Sequence, residues 1–67
     1  MLGEHVRNIR KKRGITLKEL AEKTGLSIGY ISQIERNLTD PSLSTLRKLS
    51  AALDIPIYLF MGGEHST

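Results

Sequence analysis

The chain has 67 residues, no cysteine, and ten Lys plus Arg against seven Asp plus Glu, for a formal net charge of +3. A chain of this length buries only about 60% of the surface it exposes when unfolded, so its core is single and small and leaves little room for a catalytic pocket. Without Cys there is no disulfide framework, His5 and His65 are too few imidazoles for a zinc staple, and nothing approaches the roughly 18 apolar residues of a membrane span.

Leu2, Val6 and Ile9 recur at helical spacing and predict a first helix that Gly14 stops. This helix holds the excess positive charge, because Arg7, Arg10, Lys11, Lys12 and Arg13 face only Glu4 up to residue 13 and the rest of the chain is close to balance. Such a cluster suits nucleic acid, an anionic membrane surface or an acidic partner, and equally an ordinary solvated face. The membrane reading fails because Val6 and Ile9 are needed by the core. Thr16 with Glu19 three residues on forms a capping box, which opens a second helix with Leu17, Leu20 and Ala21 on one face. Thr24 and Gly25 end it, glycine suiting the left-handed conformation of a helix stop.

Ser27 then caps a third helix with Ile28, Ile31 and Ile34 at helical spacing, which ends near Arg36 with Asn37 in the left-handed role. After Leu38, Thr39, Asp40 and Pro41, a fourth helix starts at one of two places. Either Ser42 is its cap, or Asp40 is, with Pro41 as first helical residue. Leu43, Leu46, Leu49 and Leu53 form its stripe, and Asp54 stops it. Pro56 opens a last short turn or helix holding Ile57, Leu59 and Phe60, and residues 62–67 read as a flexible tail or linker. The fold class is therefore all-α with five helices.

The most informative feature is the pair of short helices joined by a three-residue turn, with Ala21, Gly25, Ile31 and Ile34 at fixed separations. Ala21 is small where the third helix crosses the second, Gly25 allows the turn, and Ile31 and Ile34 face the core. Ser27, Gly29, Tyr30, Ser32 and Gln33 are left facing outward. The run from Ile15 through Ala21 and Gly25 to Ser27, continued by Tyr30-Ile31-Ser32-Gln33-Ile34-Glu35-Arg36, resembles the lambda-repressor and Cro-like helix-turn-helix domains, also called the xenobiotic-response-element family. The likeness extends into Pro41-Ser42-Leu43, Thr45-Leu46 and Leu53-Asp54-Ile55-Pro56, and covers roughly residues 3–61. Within the family the chain looks most like repressors of the sporulation and biofilm-switch kind and regulators that add a C-terminal cupin domain.

The resemblance implies a compact lambda-repressor-like DNA-binding domain over residues 1–61, its helix-turn-helix made by the second and third helices. It implies a bacterial-type transcriptional regulator of the repressor kind, cytoplasmic and at the nucleoid when bound. Its partner is double-stranded DNA, with the third helix in the major groove and two copies on a palindromic operator. No cofactor, metal or catalytic residue is implied. If the chain is a fragment, a C-terminal sensor domain is expected to follow.

By the same resemblance Ser27, Ile28, Gly29, Tyr30 and Gln33 reach base edges. Gln33 comes first, since an amide donates and accepts together, the pattern of adenine N6 and N7. Ile28 stands where many relatives carry a polar reader and either meets a thymine methyl or packs. Gly29 reflects a close approach, to DNA or to a neighbouring helix, or mere tolerance. Tyr30 either bonds a phosphate or packs on the second helix. Thr16, Leu17, Arg36, Asn37, Thr39 and Ser42 are expected to bind phosphates. Leu17, where many relatives have Gln, offers only its main-chain N–H. Arg10 and Glu35 are expected to form a structural ion pair, Lys11, Lys12 and Arg13 to be solvated and to steer association, and Arg7 is unassigned. The apolar run Ile57, Tyr58, Leu59, Phe60 and Met61 serves either a dimer surface or the core. A protein-binding adaptor or antitoxin-type module on the same fold is the rival function.

Overall fold

The computed structural model describes residues 2–61. Among them are five helices and no strand: α1 (Leu2–Lys12), α2 (Leu17–Thr24), α3 (Ile28–Glu35), α4 (Leu43–Leu53) and α5 (Tyr58–Met61). The expected tail at residues 62–67 lies outside the described residues.

Side-chain caps set the helix boundaries. Thr16 Oγ1 accepts from the Glu19 N–H at 3.0 Å while a Glu19 carboxylate oxygen accepts from the Thr16 N–H at 2.8 Å, a complete capping box. Ser27 Oγ accepts from Tyr30 N–H, and Ser42 Oγ accepts from Thr45 N–H, so α4 starts after Ser42 and not at Pro41. Each such cap satisfies a donor that would otherwise have no intrahelical partner. Gly25 ends α2 at φ 77°, where a Cβ would strain the backbone, and its N–H returns to the Ala21 carbonyl. Asn37 (φ 60°) and Asp54 (φ 58°) take the same left-handed conformation after α3 and α4. Asn and Asp tolerate it better than other side chains do.

One core joins all five helices. Val6 of α1, Leu20 of α2, Ile31 and Ile34 of α3, Leu46, Leu49 and Leu53 of α4 and Phe60 of α5 are buried together. Leu43 departs from the predicted stripe and is 51% exposed. At about 100° per residue, Leu46, Leu49 and Leu53 fall within an arc of about 60°, whereas Leu43 lies about 90° from its centre. In the last helix Phe60 is buried and Ile57 packs against the core, while Tyr58 is 66% exposed. The side chain of Met61 lies outside the described residues.

The first helix is anchored by more than its apolar stripe, for Gly3 and Arg10 are buried with Val6. Gly3 N–H donates to Asn37 Oδ1 at 3.0 Å. A Cβ at this position would lie 2.7 Å from Asn37 Oδ1 and from the Glu35 carbonyl, and would overlap the Ile34 carbonyl more closely still. The absence of a side chain is thus what lets α1 press against the end of α3. Arg13, expected to be solvated, donates to the Asp54 carbonyl at 3.2 Å. That carbonyl stands at the C-terminal end of α4, where the helix dipole favours a cation.

Candidate nucleic-acid interface

The second and third helices cross within the core, with Leu20, Ile31 and Ile34 fully or almost fully buried and Ala21 packed beside them. Burial of that side leaves the other side of α3 bare. Ile28 (46% exposed), Gly29 and Gln33 are exposed, as are Ser27 at the cap and Arg36 just beyond the helix. At about 100° per residue, positions 28, 29, 32, 33 and 36 fall within about 140° of arc, so they form one continuous face. Ser32 on that face is half-buried.

The face is uncharged except for Arg36, and its polar groups are uncommitted at the tip. The Gln33 amide makes no hydrogen bond among the described residues, so its donor and acceptor point to solvent together. Ser27 uses an oxygen lone pair as cap and keeps its hydroxyl proton to donate. Nothing lies within 4 Å of where a Gly29 Cβ would be, so no neighbouring helix requires glycine there. Approach of a ligand backbone and mere tolerance remain as its readings. Tyr30 is turned aside. Its half-buried ring packs on the core and its hydroxyl lies 3.3 Å from Thr45 Oγ1. The side chain is therefore held against α4, a placement that nothing in the sequence signalled.

The residues expected at phosphates ring this face unevenly. Thr16 is exposed and Leu17 half-buried at the start of α2, where the Thr16 N–H is already taken by Glu19. An anion arriving there would find the Leu17 and Lys18 N–H groups and a carboxylate in competition. Asn37 is exposed, but its Oδ1 belongs to Gly3, leaving its NH2 as donor. Thr39 is half-buried. Ser42 Oγ caps α4 and donates to Thr45 Oγ1 at 3.1 Å.

Glu19 is held in its charged form by its own cap. Its carboxyl is held below the ordinary value of 4.5, first by the hydrogen bond from the Thr16 N–H, then by the Thr16 hydroxyl and the charge of Lys23. A lowered folded value means that the stabilisation is present above 4.5 and is lost as pH falls through the folded value. Glu19→Gln keeps the box geometry without the charge. Thermal unfolding of wild type and Glu19→Gln at pH 7 and pH 3 is expected to show a smaller acid-induced fall in Tm for the variant, and equal falls would contradict this cause.

Behind the face, Arg10 and Glu35 make a two-pronged pair. Arg10 Nε donates to Glu35 Oε2 at 2.7 Å and one terminal nitrogen to Oε1 at 3.1 Å, while the other terminal nitrogen donates to the Ile15 carbonyl at 2.9 Å. The pair is buried and joins α1, the turn before α2 and the end of α3. Arg7, unassigned from the sequence, lines a cleft next to this pair together with Arg36. Its three-residue offset from Arg10 on α1 was the available signal, since residues at that spacing share a helix face.

Two short capped helices crossing at a small residue, with the second presenting a bare face, define a helix-turn-helix unit. The profile of a helix-turn-helix family matches residues 6–60, and the chain belongs to that family, the lambda-repressor and Cro-like domains. Among curated relatives, the HTH-type transcriptional regulator SinR of Bacillus subtilis is 44% identical over 68 residues, covering all of this chain and 61% of SinR. The immunity repressor protein of Bacillus phage phi105 is 43% identical over 63 residues, covering 94% of this chain and 44% of that repressor. The chain thus spans less than two thirds of the length of these relatives. A crystal structure of SinR, the master regulator for biofilm formation, in complex with DNA superposes with a TM-score of 0.88 at 44% identity, covering 92% of this chain and 100% of that one.

Proposed function

We propose that residues 1–61 form a DNA-binding domain that recognises specific double-stranded sequences as a bacterial-type transcriptional regulator of the repressor kind. It works in the cytoplasm, at the nucleoid when bound, and performs no catalysis. The observation that carries this reading is the continuous exposed face of α3, with the uncommitted Gln33 amide on it, held clear of the core by the capped α2–α3 unit. A major groove admits one helix, and such a face is what reads base edges there. The solved SinR–DNA complex, at 44% identity, supports the same use of this fold.

Gln33 is the principal reader, with Ser27, Ile28 and Gly29 beside it. Arg36, the N–H groups of Leu17 and Lys18, the Asn37 NH2, Thr39 and Ser42 stand where the DNA backbone passes and set register. Tyr30 acts by packing rather than by reading. One domain covers a half-site, so two copies bind an inverted repeat with half-sites about 34 Å apart. Exposed Tyr58 and Leu59, adjacent on α5, suit contact between those copies.

The test is the affinity of wild type and Gln33→Ala for a selected duplex and for duplexes changed one base pair at a time. Gln33→Ala is expected to lose about 1–3 kcal/mol of discrimination at one position of each half-site and little elsewhere. Equal discrimination by both proteins would remove Gln33 from the reading role. Wild-type binding that ignores sequence would remove the function.

A further inference from the structure

The cleft lined by Arg7, Arg10, Leu17, Ser32, Glu35 and Arg36 opens between α1, the first turn of α2 and the last turn of α3, with a volume of about 210 Å³. Its charges do not balance. The single carboxylate, Glu35, has both oxygens engaged by Arg10, whose charge it offsets, and a third Arg10 N–H goes to the Ile15 carbonyl. Arg7 and Arg36 are exposed and make no side-chain hydrogen bond or ion pair among the described residues. Two guanidinium groups with unspent donors therefore line one concave surface whose only carboxylate is already paired, which leaves the surface positive and suited to an anion. Of the five basic residues in the N-terminal cluster, Arg10 and Arg13 are consumed within the fold and Lys11 and Lys12 do not line the cleft. Arg7 is the one with both an uncommitted charge and a built place to use it.

We propose that this cleft seats one backbone phosphate of bound DNA, gripped by Arg7 from α1 and Arg36 from the end of α3. The proposal rests on the DNA-binding reading above. Guanidinium forks match phosphate oxygens in pairs, which suits them to hold a phosphodiester in one orientation. Because the cleft takes in Ser32 and Arg36 of the exposed α3 face but not Ile28, Gly29 or Gln33, the grip sets how far α3 advances along the groove without choosing bases.

The test compares wild type, Arg7→Lys and Arg7→Gln on the selected duplex and on an unrelated duplex over a range of salt, with thermal unfolding as the control for folding. Arg7→Gln is expected to unfold like wild type, to weaken both duplexes by a similar factor, and to lower the slope of log affinity against log salt by about 0.9. Arg7→Lys should recover the slope but not the full affinity. NMR of the arginine Nε–H signals gives the second arm. DNA should shift Arg7 and Arg36 together, and inorganic phosphate at millimolar concentration should shift neither. An unchanged slope in Arg7→Gln overturns the proposal, as does saturation of the pair by inorganic phosphate without a DNA effect, which assigns the cleft to a small anion. If wild type prefers no duplex over another but Arg7→Gln still lowers the slope, the phosphate seat stands and the sequence-reading function falls.

Discussion

Glu35→Ala is expected to destabilise the domain by about 3–5 kcal/mol, the cost of leaving a buried cation without its partner. Arg10 would retain its bond to the Ile15 carbonyl but lose both bonds to Glu35, while its side chain stays largely buried at the wall of the cleft. A domain of this length has a total stability of about 3–10 kcal/mol, so the substitution removes most or all of it. Urea unfolding followed by circular dichroism measures the loss. The double variant Arg10→Met, Glu35→Leu should recover a large part of it, because replacing a whole buried pair by apolar groups is far less costly than breaking it. A loss below about 1 kcal/mol in Glu35→Ala would mean that water reaches the pair.

Gly3→Ala should cost about 3 kcal/mol, the upper end of the usual range for forcing one extra carbon into a packed site. Ordinarily alanine is the better helix former by roughly 1 kcal/mol, so the sign of the effect is itself diagnostic. The added Cβ meets two main-chain carbonyls at the end of α3 and the Asn37 side chain. Carbonyls cannot rotate away, so α1 must tilt or lift, and the bond from Gly3 N–H to Asn37 is lost with it. Gly29→Ala is the natural control, since open space surrounds that site. Calorimetric Tm values for the two variants should move in opposite directions. Stabilisation by Gly3→Ala would show that α1 does not press on α3 as described.

Helix boundaries were legible because the caps are local: Thr16 with Glu19, Ser27 and Ser42 each settle a helix start within three residues of chain. The core was legible where apolar spacing sampled one face, and failed at Leu43, which continues the spacing of Leu46 and Leu49 but drifts off their arc. What sequence spacing did not disclose is long-range. The clasp of Arg13 on Asp54, the contact of Tyr30 with Thr45 and the grip of Asn37 on Gly3 each join residues far apart in the chain. Gly3 still left a trace, since it shares a helical face with Val6 and Arg10, and a glycine on a buried helical face marks a close approach. Arg7 left a weaker one. Its role depends on which of its basic neighbours the fold consumes, and charge counting treats all five alike.

The central claim, that the exposed face of α3 reads DNA sequence through Gln33, is tested most directly by selecting duplexes from a random library with the wild-type chain and with Gln33→Ala side by side. Wild type should enrich an inverted repeat, and Gln33→Ala should enrich the same repeat with preference relaxed at one base pair of each half-site. Enrichment of no sequence by wild type, or of one identical sequence by both proteins with every position equally sharp, would contradict it.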